Sequence, residues 1–241
     1  MRARVILVCA LIAGGITASA TGDQADSSAR GRIEGRAVFS GPPPTRDLVN
    51  MTSDPMCVQQ AGSMVESQTP LVDAKGGLQN VFVYIRDGVD SPTYDVPTAP
   101  VVLDQRGCQY SPRVLGVRVG QRLEILNSDP ALHNTHGRPA ANREFNIGQP
   151  IQGMRYTHVF TQPEVMVPLE SDVHRWMAAF VGVMAHPFFA VSGPDGSFTI
   201  AGVPPGRYTL EAWHERFGRQ IRSITIDRGQ AASVSLTFEA R

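Results

Sequence analysis

Leu169-Glu170-Ser171-Asp172-Val173-His174-Arg175-Trp176-Met177 is the stretch whose reading decides the fold. It belongs with Asn127-Ser128-Asp129-Pro130-Ala131-Leu132-His133-Asn134 upstream. A histidine follows one strand end, and a run Ser-x-x-His-x-x-Met follows another. Three-residue spacing lets a tight loop turn His174 and Met177 back towards a His on the neighbouring strand. Ligand-type side chains on two separated segments at one end of a sandwich suit a rigid, buried metal site. His-x-x-Met alone is a common chance pattern, and it gains weight only beside the Asn-x-Asp…His-Asn segment.

Working outward, the segments with order signals read as strands: residues 33–39, 81–85, 117–126, 155–160, 180–184, 197–200, 207–213, 219–226 and 233–238. They are short, rich in β-branched and aromatic residues, and punctuated by Gly, Pro, Asn and Asp. Arg219 to Ile226 alternates as a strand does with one face on a core and one on water. Sustained helical periodicity is absent. The expected class is all-β, as one or two sandwiches.

The strand 117–126, the Asn127-Ser128-Asp129 corner and His133-Asn134 resemble the cupredoxins, as does Ser171-x-x-His174-x-x-Met177 followed by a strand at 179–184. The nearest likeness is to plastocyanin- and amicyanin-like proteins, including the family often called methylamine utilisation proteins. The resemblance covers roughly residues 100–192. It implies a copper site with His133 and His174 as imidazole ligands and Met177 as the axial thioether. Ser171 stands where the family has its cysteine. A His₂Cys set with a weak axial Met defines a blue-copper electron-transfer site. A hydroxyl is a hard, largely protonated ligand, so the remaining two imidazoles and thioether form a soft neutral set better suited to Cu(I) than Cu(II). His136, His186 and His214 are secondary candidates. His158 reads as a surface or satisfied histidine, and Trp213-His214-Glu215 as a strand end with Trp213 buried.

Asp195-Gly196-Ser197-Phe198 through Val203-Pro204-Pro205-Gly206-Arg207-Tyr208 reads as a hairpin whose Pro-Gly pair suits a type II turn with Gly206 at positive φ. It resembles the later half of the carboxypeptidase regulatory-like domain, a transthyretin-like β-sandwich. Residues 31–92 fit the earlier half. The expected organisation is a sandwich from 31–92 and 193–241, with a cupredoxin-like domain at 100–192 inserted at a loop. Two domains in series, with 31–192 as one larger sandwich, is the alternative. The aromatics of His186-Pro187-Phe188-Phe189 are expected between the domains.

The 241 residues, 42% hydrophobic with net charge 0, suffice for a substantial core. Residues 1–20 read as an export signal: Arg2 and Arg4, an apolar run from Val5 to Ile16, and Ala18-Ser19-Ala20 as cleavage site. A lipoprotein reading through Cys9 is disfavoured by bulky Val8. No later segment approaches about 18 consecutive apolar residues, so no transmembrane span is expected. Without the signal the net charge falls from 0 to −2, which offers no case for nucleic acid. Cys57 and Cys108 then remain, an even count that reads as one disulfide in a periplasmic or extracellular protein. Closing roughly 50 residues, it is worth about 4 kcal/mol in the chain-entropy model.

Enzyme motifs are missing: no Gly-x-Ser-x-Gly elbow, His-Glu-x-x-His, P-loop or dinucleotide fingerprint. Ser171, Asp172 and His174 are too close along an extended strand to form a triad. The expected function is non-enzymatic copper binding, for electron transfer or copper handling with a redox or copper-delivery partner. The alternative is an envelope module that binds carbohydrate or protein, with Tyr110 and Tyr156 as exposed aromatics.

Overall fold

The computed structural model describes residues 29–90 and 94–240. The expected signal at 1–20, with Cys9, lies outside the described residues. The described chain opens with β1 (Gly31–Ser40), β2 (Leu48–Asn50), the short helix α1 (Pro55–Ala61), β3 (Met64–Glu66) and β4 (Phe82–Asp87). The middle runs through β5 (Val101–Arg106), β6 (Gln109–Ser111), β7 (Val114–Arg118), β8 (Arg122–Asn127) and β9 (His133–Gly137). It continues with β10 (Phe145–Gln149), β11 (Arg155–Val159), β12 (Glu164–Glu170) and β13 (Ala178–Met184). Then come β14 (Phe189–Val191), β15 (Ser197–Val203), β16 (Gly206–His214), β17 (Gly218–Ile226) and β18 (Ala231–Glu239).

Two sandwiches result. In the first, the sheet β15-β1-β18 faces β14-β4-β16-β17 across a core of Ile33, Val83, Ile85, Leu210, Leu236 and Phe238. In the second, β10-β9-β12-β13-β7 faces β11-β8-β5-β6 across Leu103, Val117, Leu123, Ile125 and Val181. The first sandwich is discontinuous in sequence, since β1 and β4 are separated from β14–β18 by the strands of the second. β14 lies antiparallel beside β4, Phe189 opposite Tyr84 and Val191 opposite Phe82. The chain therefore leaves the first sandwich and returns to it on neighbouring strands, where an insertion disturbs little. The expected boundary at 192 is corrected by the same pairing, because residues 189–191 already belong to the first sandwich.

The sandwiches meet through aromatics on glycines. Gly116 and Gly182 pair side by side on β7 and β13. A Cβ on either would collide with Phe82, and on Gly116 also with Phe189. Phe189 therefore lies between the sandwiches, whereas Phe188 belongs to the first core. Trp213 is half-buried at the same junction, 4.9 Å from the Phe180 ring. Arg113 adds a two-pronged ion pair to Glu215, 2.7 Å on both prongs.

Local expectations are corrected in four places. The run 117–126 is two strands broken by a turn at Gly120, whose φ is +82°. Gly202, with φ +72°, takes the left-handed conformation near the Pro-Pro turn; Gly206 does not. The turn is closed instead by Tyr208 Oη donating to the Pro204 carbonyl at 2.9 Å. Ile224 and Ile226 turn inward on β17, so Ile221, at an odd offset from both, faces solvent. Finally, α1 is a genuine helix: Asp54 caps it, accepting from the Met56 and Cys57 amides, and Pro55 opens it.

Candidate metal centre

Three segments converge at one end of the second sandwich. The first is the β8–β9 loop. Asn127 Nδ2 donates to the Ala131 and Gln149 carbonyls, while its Oδ1 accepts from the Asp129 amide. That loop delivers Asp129 and His133. The second is the β12–β13 loop, residues 171–177, a tight turn as its three-residue spacing suggests, although the extended strand assumed for Ser171 to His174 in excluding a triad does not form. Asn134 ties it to β9, its Oδ1 accepting from Ser171 Oγ at 2.7 Å and the Val173 amide at 3.1 Å. Ser171 Oγ accepts from the His174 amide at 3.0 Å, and the Met177 amide donates to the His174 carbonyl at 2.8 Å. The serine thus orders the turn through the His174 backbone and makes no bond to its imidazole. The third segment is the arm carrying α1, pinned to the turn after β5 by the Cys57–Cys108 disulfide.

The two histidines face one another, Nδ1 to Nδ1, at 3.1 Å. Each outer nitrogen meets a carboxylate. His133 Nε2 lies 2.9 Å from Asp129 Oδ2, and His174 Nε2 lies 2.8 Å from Asp54 Oδ2. The two halves mirror each other, since each carboxylate also accepts the amide of a disulfide cysteine. Asp129 takes the Gly107 and Cys108 amides, and Asp54 those of Met56 and Cys57. Burial opposes ionisation of Asp129, but the bonds from His133, Cys108 and Gly107 outweigh it and hold the carboxyl below its usual range. Asp54 is likewise lowered, chiefly by the bond from His174, against the cost of burial. His133, His174 and Asp129 are 0%, 2% and 1% exposed.

Those carboxylates fix the tautomers. An ionised carboxylate only accepts, so Nε2 of each ring carries a proton towards its aspartate. With both rings neutral, each Nδ1 is a lone pair, and the two face each other at 3.1 Å. Two lone pairs so placed can share one cation, a proton or a metal ion. Two nitrogens that hold one tetrahedral ion at about 2.0 Å stand about 3.3 Å apart, close to what is found. Carboxylates behind metal-binding imidazoles set ring orientation and raise basicity. Ser171 is committed twice, to Asn134 and to the His174 amide. Met177 is buried in the second core beside the turn, and its residue borders a surface pocket with Ser171, Asp172 and Arg138.

The other candidates lie in different surroundings. His136 is held by Asp172 at 3.0 Å and Glu144 at 2.6 Å on the flank of β9. His186 donates to the Ile85 carbonyl and accepts the Phe188 amide, with its pKa lowered mainly by burial. His214 stacks on Phe217 in the first sandwich, its pKa lowered by burial to about 4. His158 packs 4.0 Å from the Phe145 ring and is also lowered by burial. Tyr110, expected to be exposed, is fully buried; its hydroxyl donates to the Asn134 carbonyl at 2.6 Å. Tyr156 is half-buried against Phe145. Sequence reasoning missed Asp54 and Asp129 as partners. Asp129 carried a signal, four residues before His133, whereas Asp54 is brought in only by tertiary structure.

Residues 182–239 match the model of the carboxypeptidase regulatory-like domain. No curated protein matches the chain. Among solved structures it is similar to a Cu-containing nitrite reductase from Thermus scotoductus SA-01, at 21% identity over 41% of this chain and 25% of that one, TM-score 0.34. It is also similar to a single-residue variant of amicyanin in its Cu(I) form, at 20% identity, 42% and 98% coverage, TM-score 0.32. A purple cupredoxin from Nitrosopumilus maritimus is similar at 23% identity, 36% and 99% coverage, TM-score 0.31. No helix among the described residues is long and apolar enough to cross a membrane. This is an all-β chain of two sandwiches that carries a carboxypeptidase regulatory-like domain at residues 182–239.

Proposed function

We propose that this protein binds one copper ion, as Cu(I), between His133 and His174, in an exported and non-enzymatic copper-handling role. The observation that carries the reading is the pair of Nδ1 lone pairs converging at 3.1 Å, each backed by a carboxylate on Nε2. Copper there would supply a positive charge between two ionised aspartates, neither of which has a Lys or Arg partner among the ion pairs of the described residues. Two neutral imidazoles form a set that suits Cu(I), and Met177 offers a soft sulfur from the same turn. Ser171 brings no thiolate, which argues against a blue electron-transfer centre. Burial of both rings supports slow exchange with solvent, and a copper-delivery partner is the natural counterpart.

Competitive titration with Cu(I) tests this. One saturable site is expected, weakened at least tenfold in both His133→Ala and His174→Ala. Lack of saturable binding in the folded protein would refute it.

A further inference from the structure

The disulfide lies behind the histidine pair, on the side of the outer nitrogens. Cys57 Sγ is 3.5 Å from His174 Nε2, which also meets Asp54 at 2.8 Å. The ligand atoms of Asp54, Cys57 and His174 all lie within 4.8 Å of one another, and so do those of Cys108, Asp129 and His133. Cys57, Cys108 and His174 are buried, and Trp176 closes the group by donating to the Cys108 carbonyl at 2.9 Å. A tetrahedral ion at about 2.3 Å from sulfur and about 2.0 Å from nitrogen needs those two atoms about 3.5 Å apart. Cys57 and His174 already stand so.

We propose that reduction of Cys57–Cys108 creates a second metal site on the Cys57 thiolate, His174 Nε2 and Asp54, with the freed Cys108 thiolate turning in from the Asp129 and His133 side as the fourth ligand, for a tetrahedral divalent ion of the zinc class. The chemistry balances. A dithiol reductant gives two electrons and two protons to the disulfide and leaves as its own disulfide. Metal binding then displaces the two thiol protons to solvent. The proton on His174 Nε2 moves to Nδ1, where the His133 Nδ1 lone pair at 3.1 Å accepts it. His133 keeps its own Nε2 proton on Asp129. Two thiolates with an imidazole and a carboxylate suit zinc or its spectroscopic substitute Co(II). The site uses the opposite nitrogen of His174 from the copper reading and does not depend on it.

The test is anaerobic Co(II) titration of the full chain in a Cys9→Ser background, which leaves Cys57 and Cys108 as its only thiols. Protein reduced with a phosphine and then freed of it should bind one Co(II) with a near-ultraviolet sulfur-to-cobalt band. The oxidised protein should lack that band. His174→Ala and Asp54→Ala should each weaken Co(II) binding at least tenfold, with circular dichroism reporting strand content throughout. If reduction loosens the fold, Co(II) should restore it. A reduced protein without the band, or one that Co(II) fails to refold, would overturn the proposal. So would a band of undiminished affinity in His174→Ala, because the cysteines would then bind alone. Copper titration of the oxidised protein reports separately on the inner pair.

Discussion

Ser171 Oγ donates to Asn134 and accepts from the His174 amide, so its one proton and one of its two lone pairs are engaged in shaping the turn. Ser171→Ala should leave the buried His174 amide unpaired and cost about 1–3 kcal/mol in chemical denaturation. Ser171→Cys is nearly isosteric and supplies the missing thiolate. Loaded with Cu(II), it should gain an intense visible band that the wild type lacks. A colourless, copper-loaded variant would count against His133, His174 and Met177 forming one set. Asp129 acts through His133. Asp129→Asn keeps an acceptor but loses the charge, and Cu(I) affinity should fall ten- to a hundredfold. An unchanged affinity would remove the carboxylate from the account.

At the level of strands, β16 ends on His214, buried against Phe217 and holding a pKa of about 4. The unfolded value is about 6.5, so the folded state excludes a proton that the unfolded chain accepts. The resulting stability is complete above pH of about 6.5 and drains away as pH falls to about 4, an amount of about 3 kcal/mol. His214→Phe should flatten that part of the acid profile, measured as urea midpoints between pH 7 and 4.5. A profile as steep as the wild type's would mean another group titrates there. On β7 and β13, Gly116 and Gly182 receive Phe82 and Phe189 from the first sandwich. Gly182→Ala should destabilise by about 1–3 kcal/mol, because Phe82 has to move off its seat. A neutral result would show that the two sandwiches are free to slide.

Across the whole molecule, the parts legible in the sequence are those set by local patterning. Strand alternation and turn residues marked β1, β4, β11, β13 and β15–β18 within a few residues. The Asn127…His133-Asn134 and Ser171-x-x-His174 segments marked the two loops that meet, because Asn127 and Ser171 each bond within their own loop, to the Asp129 and His174 amides. The α1 arm was not legible. A seven-residue helix carries little periodicity, and Asp54 reaches His174 across 120 positions, a contact only folding creates. Tyr110 misled for a similar reason: a polar-tipped ring beside a turn reads as exposed, yet its hydroxyl is satisfied inside by the Asn134 carbonyl. The central claim concerns two nitrogens, and nitrogen-detected NMR of the histidine rings reads them directly. Of the six histidines, His133 and His174 should carry their protons on Nε2, and Cu(I) should shift the Nδ1 resonances of those two alone. A bare Nε2 on either ring, or Cu(I) shifts appearing first at other histidines, would contradict the account.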